Sequence, residues 1–341
     1  MKLSMLMLLL MGVLLASLSG CSKPDSKATL NDYQQRLIRV LQLERVKVQV
    51  EPLASLPRPS ELRQPLPDIR LELTDAWASR ACGLDQLIGE RNSSLGRVFQ
   101  PSQQLHYELR LLAQLERCLQ QDISPALAQQ LGNWLSQKQQ AIAPALSNML
   151  LTDDTLRSQW QGNKPPLVAA DSSGFTATRG ALHHLVNLTE QISQEQWQQA
   201  AAVDIEQSLA MLYQHDFLAK LQSSLRYSAA WFSQLNPQLL ALNPESLCPG
   251  GRSTEQLTIL TTVFSKFFIG EVQAHLAELS RYQHEIWPLL QQLYQDTALY
   301  PALQQRYQQP AAQLQQQLML QVQWWQQLNQ QCPANLTQQQ S

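Results

Sequence analysis

Apolar residues recur at helical spacing along most of the chain. From Thr29 onward, Leu30, Tyr33, Leu37, Val40 and Leu41 share one face. Val46, Val48 and Val50 alternate instead, as a short strand or extended piece would. Pro52, Pro57, Pro59, Pro65 and Pro67 then forbid a continuous helix, so this stretch is expected to lie as an extended strap over the body. Helical spacing resumes at Asp68 with Ile69, Leu73, Trp77, Leu84, Leu87 and Ile88, and again at Ser102 with Leu105, Leu109, Leu112 and Leu115. Ser124-Pro125 starts a third helix, which Pro144 is expected to break or kink. Residues 162–178 form the strongest internal break. Beyond it the pattern predicts one long helix from Trp197 to about Leu235. Another begins at Ser253 or Thr254 and bends or ends near Pro288, and a glutamine-rich one runs from about Ala302 to Gln331.

The stripes predict an all-α protein, a multi-helix bundle of one or two lobes with an extended Pro-rich N-terminal strap. The expected divisions are residues 1–20, a leader that is removed; 21–29, a tether; 30–67, a helix and the strap; 68–161, a first helical lobe; 162–178, a linker; 179–335, a second helical lobe; and 336–341, a polar tail. Composition narrows the class further. Only 15 % of the 341 residues are charged while 44 % are hydrophobic, which excludes a disordered chain. Lys+Arg number 25 against 27 Asp+Glu, so no basic excess exists to hold nucleic acid. The 52 glutamines are uncharged helix formers, and 17 of them fall within residues 301–341.

The first residues read as an address. Lys2 precedes an apolar run from Leu3 to Leu18, which as a helix would rise about 24 Å, short of the ~30 Å hydrocarbon core. A cleaved signal segment fits better than a permanent span. Leu18-Ser19-Gly20-Cys21 resembles the lipobox of bacterial lipoproteins. That resemblance implies that Cys21 becomes the mature N-terminus and carries three acyl chains, enough for stable anchoring. Ser22 stands where an Asp would imply inner-membrane retention. The expected location is therefore the periplasmic face of the outer membrane, with the membrane itself as a partner through the lipid.

Cys82, Cys118, Cys248 and Cys332 remain, an even number in an oxidising compartment, where they read as disulfides with three pairings open. Cys82–Cys118 and Cys248–Cys332 are favoured, one staple in each half, contributing about 3.8 and 4.6 kcal/mol by loop-closure entropy. The first pair lies at unequal distances from the loop between its helices, so that loop must run back alongside one of them. No C-x-x-C or histidine at ligand spacing supports a metal site among them.

No catalytic or nucleotide-binding motif occurs, and nothing calls for a cofactor or metal. The densest set of chemical groups is Glu271, His275, Glu278, Arg281 and Glu285, expected to form one solvated stripe with Arg281 pairing to its acidic neighbours. His183-His184 follows a Ser/Thr/Gly-rich loop. Arg91, Asn92 and Arg97, in a loop dense with hydrogen-bonding groups, are candidate binding residues. Trp324 and Trp325 read first as core, but adjacent residues point about 100° apart on a helix, so one of the two is also a candidate to reach the surface and bind.

Cys82-Gly83-Leu84, the run from Glu90 to Gly96 (ERNSSLG), the run from Ser102 to Leu112 (SQQLHYELRLL) and Leu56-Pro57-Arg58-Pro59 together resemble a lipoprotein family of Gram-negative bacteria, the domain-of-unknown-function 3080 family. The resemblance implies no activity and no catalytic residues. The reading is a helical binding or scaffold module for an envelope assembly, with an envelope protein as partner. The second reading is an enzyme acting on peptidoglycan or lipid, which a deep pocket lined by several of Glu271, His275, Glu278, His183 and His184 would favour.

Overall fold

The computed structural model describes residues 24–66, 79–168 and 172–332. Within them the protein is all-α, and the sole β-type pairing is an isolated antiparallel bridge between Asp25 and Val168. Cys21 and Ser22, the Asp68 cap, and Ile69, Leu73 and Trp77 lie outside the described residues.

Helix α1, Ser26–Leu41, begins earlier than the spacing predicts because Asp25 caps it, accepting from the Ala28 amide at 2.9 Å. Its predicted stripe is buried: Leu30, Tyr33 and Leu37 are each 0 % exposed. Gln42, in the left-handed region at φ 55°, ends it.

The following segment is extended through Arg58 and makes no strand. Val46 and Val48 pack against the core, whereas Val50 is exposed. Extended backbone without a sheet leaves its carbonyls open, and arginines from three helices take them. Arg226 donates to the Glu51 carbonyl, Arg306 to that of Ala54 at 3.0 Å, and Arg157 to that of Pro57 at 2.8 Å. Residues 51, 54 and 57 recur every three, the repeat of a polyproline II helix, so the three carbonyls fall along one edge. A single helical turn, α2 (Pro59–Leu62), interrupts the strap, and the Asn148 side-chain amide then pairs with both backbone groups of Gln64 at 2.7 and 2.9 Å.

A 3-10 turn at Arg80–Cys82 and a left-handed Gly83 (φ 78°) separate helix α3, Leu84–Asn92, from what precedes it, so the helix expected over 68–88 is not continuous. Helix α4 is Pro101–Leu119, opened by Pro101 rather than Ser102. Helix α5, Pro125–Thr152, runs unbroken through Pro144. Ile142, Ala145 and Met149 are buried on both sides of that proline, and their burial outweighs its cost of roughly 3 kcal/mol. A short α6, Asp154–Gln159, follows, then α7, Ser173–Ser193.

The long helix expected from Trp197 is three: α8 (Trp197–Ala201), α9 (Ile205–His215) and α10 (Phe217–Leu240). Asp204 caps α9 through the Gln207 amide, and Asp216 at φ 49° turns the chain before α10. Helix α11 (Glu255–Val263) continues through π-helical turns at Phe264–Gln273 into α12 (Ala274–Tyr294), past Pro288. Finally α13 (Tyr300–Leu303) passes through π turns at Gln304–Gln308 into α14 (Gln309–Gln331).

One main core draws on residues from Leu30 to Cys332 and thus on both sides of the 162–178 stretch. A smaller core joins Leu84, Leu87 and Ile88 to Tyr107, Leu111, Leu115 and Leu131. Helix α4 serves both, with Leu105, Leu109 and Leu112 facing the main core. The disulfides pair as expected: Cys82 with Cys118 and Cys248 with Cys332, their Cα atoms 5.3 and 5.7 Å apart.

Candidate functional site

The polar stripe on α12 does not converge on a pocket. The π turns carry an extra residue per turn and rotate the face that follows them, leaving Glu271 exposed while His275 is buried. His275 Nε2 meets Ser26 Oγ at 2.7 Å, and the Ser26 amide donates to the Leu167 carbonyl at 3.2 Å. Ser26 is 0 % exposed, so this Ser–His pair fastens the start of α1 to α12 and is closed to any substrate. Burial lowers the His275 pKa, against the opposing pull of Glu278 and Asp25. Hydrogen bonding from Arg179 holds the Glu285 carboxyl below its usual range, with Arg281 adding at 3.3 Å. The Arg281 guanidinium also covers Phe175 and Tyr282, 4.8 and 4.7 Å from the ring centres. His183 and His184 are exposed on α7. Among the described residues no group of three His, Cys, Asp or Glu side chains is placed to hold a metal.

The 90–97 loop is built to reverse the chain. The Ser93 hydroxyl donates to the Glu90 carbonyl at 2.7 Å and accepts from the Gly96 amide at 3.0 Å, while Arg91 donates to the Gly96 carbonyl. A Cβ at Gly96 would overlap the carbonyl oxygens of Glu90 and Arg91, so only glycine lets the loop lie this close to α3. The unequal arms bearing Cys82 and Cys118 are levelled by register instead: Arg110 pairs with Glu90 at 3.0 Å and Gln114 donates to the Cys82 carbonyl, so the start of α4 overhangs the end of α3. Arg91 is engaged within the loop, whereas Asn92 and Arg97 are exposed. Leu95 and Val98 are 75 and 69 % exposed beside Arg97. Trp324 and Trp325 are both core residues at 2 % exposure, because α14 packs against α10 on one side and Phe264 of the π turns on the other.

Two clefts contrast in chemistry. One, of about 450 Å³, lies between the strap and α10 and is lined by Lys27, Glu51, Lys164 and Arg226. Its cations already have partners: Lys164 pairs with Asp216 at 2.8 Å, Arg226 bonds the Glu51 carbonyl, and Lys27 sits 5.5 Å from the Tyr227 ring centre. The other, of about 500 Å³, lies between α12 and α14 with Leu225 of α10 also in its lining. Ser280, Gln283, His284 and Trp287 line it at i, i+3, i+4 and i+7 of α12, facing Leu314 and Leu318 of α14. Neither cleft takes Glu271, His275, Glu278, His183 or His184. In sequence this second cleft is masked, because its residues form an ordinary amphipathic stripe. The available signal was a stripe of mixed character, Ser/Gln/His/Trp, opposite the small pair Ala311-Ala312.

The fold and these sites define an all-α, disulfide-closed protein whose open surfaces are clefts between helices. The chain belongs to the family described as "Protein of unknown function (DUF3080)", which matches residues 30–336. No curated protein and no solved structure matches it.

Proposed function

We propose that this chain is a lipid-anchored lipoprotein on the periplasmic face of the outer membrane, working by binding as a helical module of an envelope assembly. The observation that carries the binding reading is that the acid–base groups do not converge on a cleft: His275 is closed off against Ser26, Glu285 pairs with Arg179, His183, His184 and Glu271 are exposed, and none of these lines the α12–α14 cleft. The lipobox-like Leu18-Ser19-Gly20-Cys21 supports the anchor, and the two disulfides fit an oxidising compartment. No helix among the described residues is long and apolar enough to cross a membrane. The test has two arms. Cys21→Ala releases the protein from the membrane fraction, and continued sedimentation with membranes refutes the anchor. Crosslinking in living cells captures a defined envelope protein, and an absence of any reproducible partner refutes the module.

A further inference from the structure

We infer that the face around the start of α1 is the one seated on the bilayer, where Lys27, Val50 and Val168 meet the phospholipid headgroups of the leaflet that holds the acyl chains. This deepens the lipid-anchor reading and rests on it. Reach restricts the choice of face. Cys21 and Asp25 are four residues apart, so their Cα atoms are separated by at most about 14 Å. The interfacial layer of one leaflet is itself roughly 5–8 Å deep, half the difference between the full bilayer and its hydrocarbon core. With the acylated Cys21 at the base of that layer, Asp25 stays within about 9 Å of its outer limit. Unwinding of α1 does not lengthen the leash, because its first turn is clasped to the body. Asp25 bridges to Val168, the Ser26 amide donates to the Leu167 carbonyl at 3.2 Å, and Ser26 Oγ meets His275 Nε2 at 2.7 Å.

The side chains within that reach suit an interface. Val168, across the bridge from Asp25, is 40 % exposed, and Val50, which lines the strap cleft with Lys27, is 36 % exposed. The same cleft carries Lys27, Lys164 and Arg226 against one acid, Glu51. Lys164 is committed to Asp216, and Arg226 to the Glu51 carbonyl. Lys27 is exposed, and among the described residues its ammonium rests against the Tyr227 ring alone, which leaves it for a lipid phosphate. One cation beside an anionic leaflet is favoured about fivefold. The tether makes that contact intramolecular, so a bias too weak to recruit a free protein suffices to orient this one.

The test places the mature lipidated chain in nanodiscs of phosphatidylethanolamine and phosphatidylglycerol, loaded singly, and acetylates it with a water-soluble succinimidyl ester. Mass spectrometry reads the rate at each lysine. The reference is the same body freed from the disc by thrombin, through a cleavage site on a long Gly/Ser insert after Ser22. Lys27 is expected to react about fivefold more slowly on the disc than when freed. Lys266 is expected to react equally in both states: it is exposed and adjoins Phe267, which packs under Arg36, ten residues and about 15 Å further along α1. Lys27→Glu sets a like charge against the leaflet, and Lys164, its neighbour in the cleft, then reacts on the disc at its freed rate. Equal Lys27 rates on and off the disc, or equal slowing of Lys27 and Lys266, overturn the inference. Slowing that appears only on discs loaded with several chains assigns the face to a second copy and overturns it as well. The two readings fail separately: an N-terminal peptide without acyl chains refutes the anchor, whereas an acylated Cys21 with a freely reactive Lys27 refutes this face alone.

Discussion

Arg306→Met asks whether the strap is held by cations or by its apolar side chains alone. Arg306 is 3 % exposed and donates to three carbonyls: Trp160 at 2.8 Å, Ala54 at 3.0 Å and Ala302 at 2.9 Å. The bond to Ala302 lies within its own helical segment, four residues away, and is replaceable by local adjustment. The other two span 146 and 252 residues and join the strap and the end of α6 to the π turns. Hydrogen bonds to a charged group contribute about 1.5–3 kcal/mol each, so the pair is worth roughly 3–6 kcal/mol gross. Against this stands the desolvation of the guanidinium, visible as a lowered Arg306 pKa, which methionine does not incur. The expected net loss is about 2–4 kcal/mol, because the substitution also leaves the Trp160 carbonyl without its partner. Urea unfolding reads the loss as a lower midpoint with an unchanged slope. Trypsin reads it locally, as faster cleavage after Arg45 and Lys47, on the N-terminal side of the Ala54 anchor. An unchanged midpoint together with unchanged cleavage would falsify the clamp and assign the strap to the packing of Val46, Val48 and Leu56.

Other perturbations probe separate parts of the fold. Lys138 and Glu108 form an ion pair at 2.8 Å with side chains 5 and 6 % exposed, so Lys138→Met alone destabilises by about 3–5 kcal/mol, whereas Lys138→Met with Glu108→Leu recovers most of the loss in a double-mutant cycle. Gly96→Ala costs about 1–3 kcal/mol in thermal unfolding, since the carbonyls it meets belong to backbone; an unshifted midpoint refutes the close approach. Because burial depresses the His275 pKa, the unfolded chain takes up a proton first as pH falls. Stability is therefore full above the unfolded value of about 6.5 and declines below it, and His275→Gln flattens that part of a urea-midpoint profile measured between pH 5 and 8, with Asp25 and Glu278 as the charges that moderate the slope. Removing both Cys248 and Cys332 lowers stability by about 2–4 kcal/mol, and mass mapping without reductant recovers the two pairs seen here.

The legible part of the fold was the part written in local spacing. The stripe Leu30, Tyr33, Leu37 of α1, the Leu105–Leu112 face of α4 and both cysteine pairs followed from periodicity and arithmetic. Helix continuity was less legible, because tertiary burial decides whether a proline or an aspartate interrupts. Pro144 and Pro288 are carried through by buried neighbours, while Asp204, capping the start of α9, and Asp216, at its end, divide helices that the apolar stripe alone would have joined. The π turns at 264–273 and 304–308 leave no mark in a 3.6-residue pattern, yet they decide that His275 faces inward and that Arg306 reaches the strap. The Ser26–His275 contact spans 249 residues and has no local signature. The α12–α14 cleft was hidden for a related reason: Gln283 and Trp287 acquire meaning only once Leu314 and Leu318 stand opposite.

The Cys248–Cys332 bond has a topological consequence for that cleft. Both of its walls, α12 and α14, lie between the two cysteines, so they belong to one covalent ring that also contains α11 and both sets of π turns. The walls can twist or spread about the short 295–299 connection, but they cannot separate. A protease nick in that connection would leave the jaws linked through the ring's far side, whereas reduction would turn the ring into an open hairpin hinged at one end. The span over which the cleft can breathe is thus set by a bond that contributes no atom to its lining.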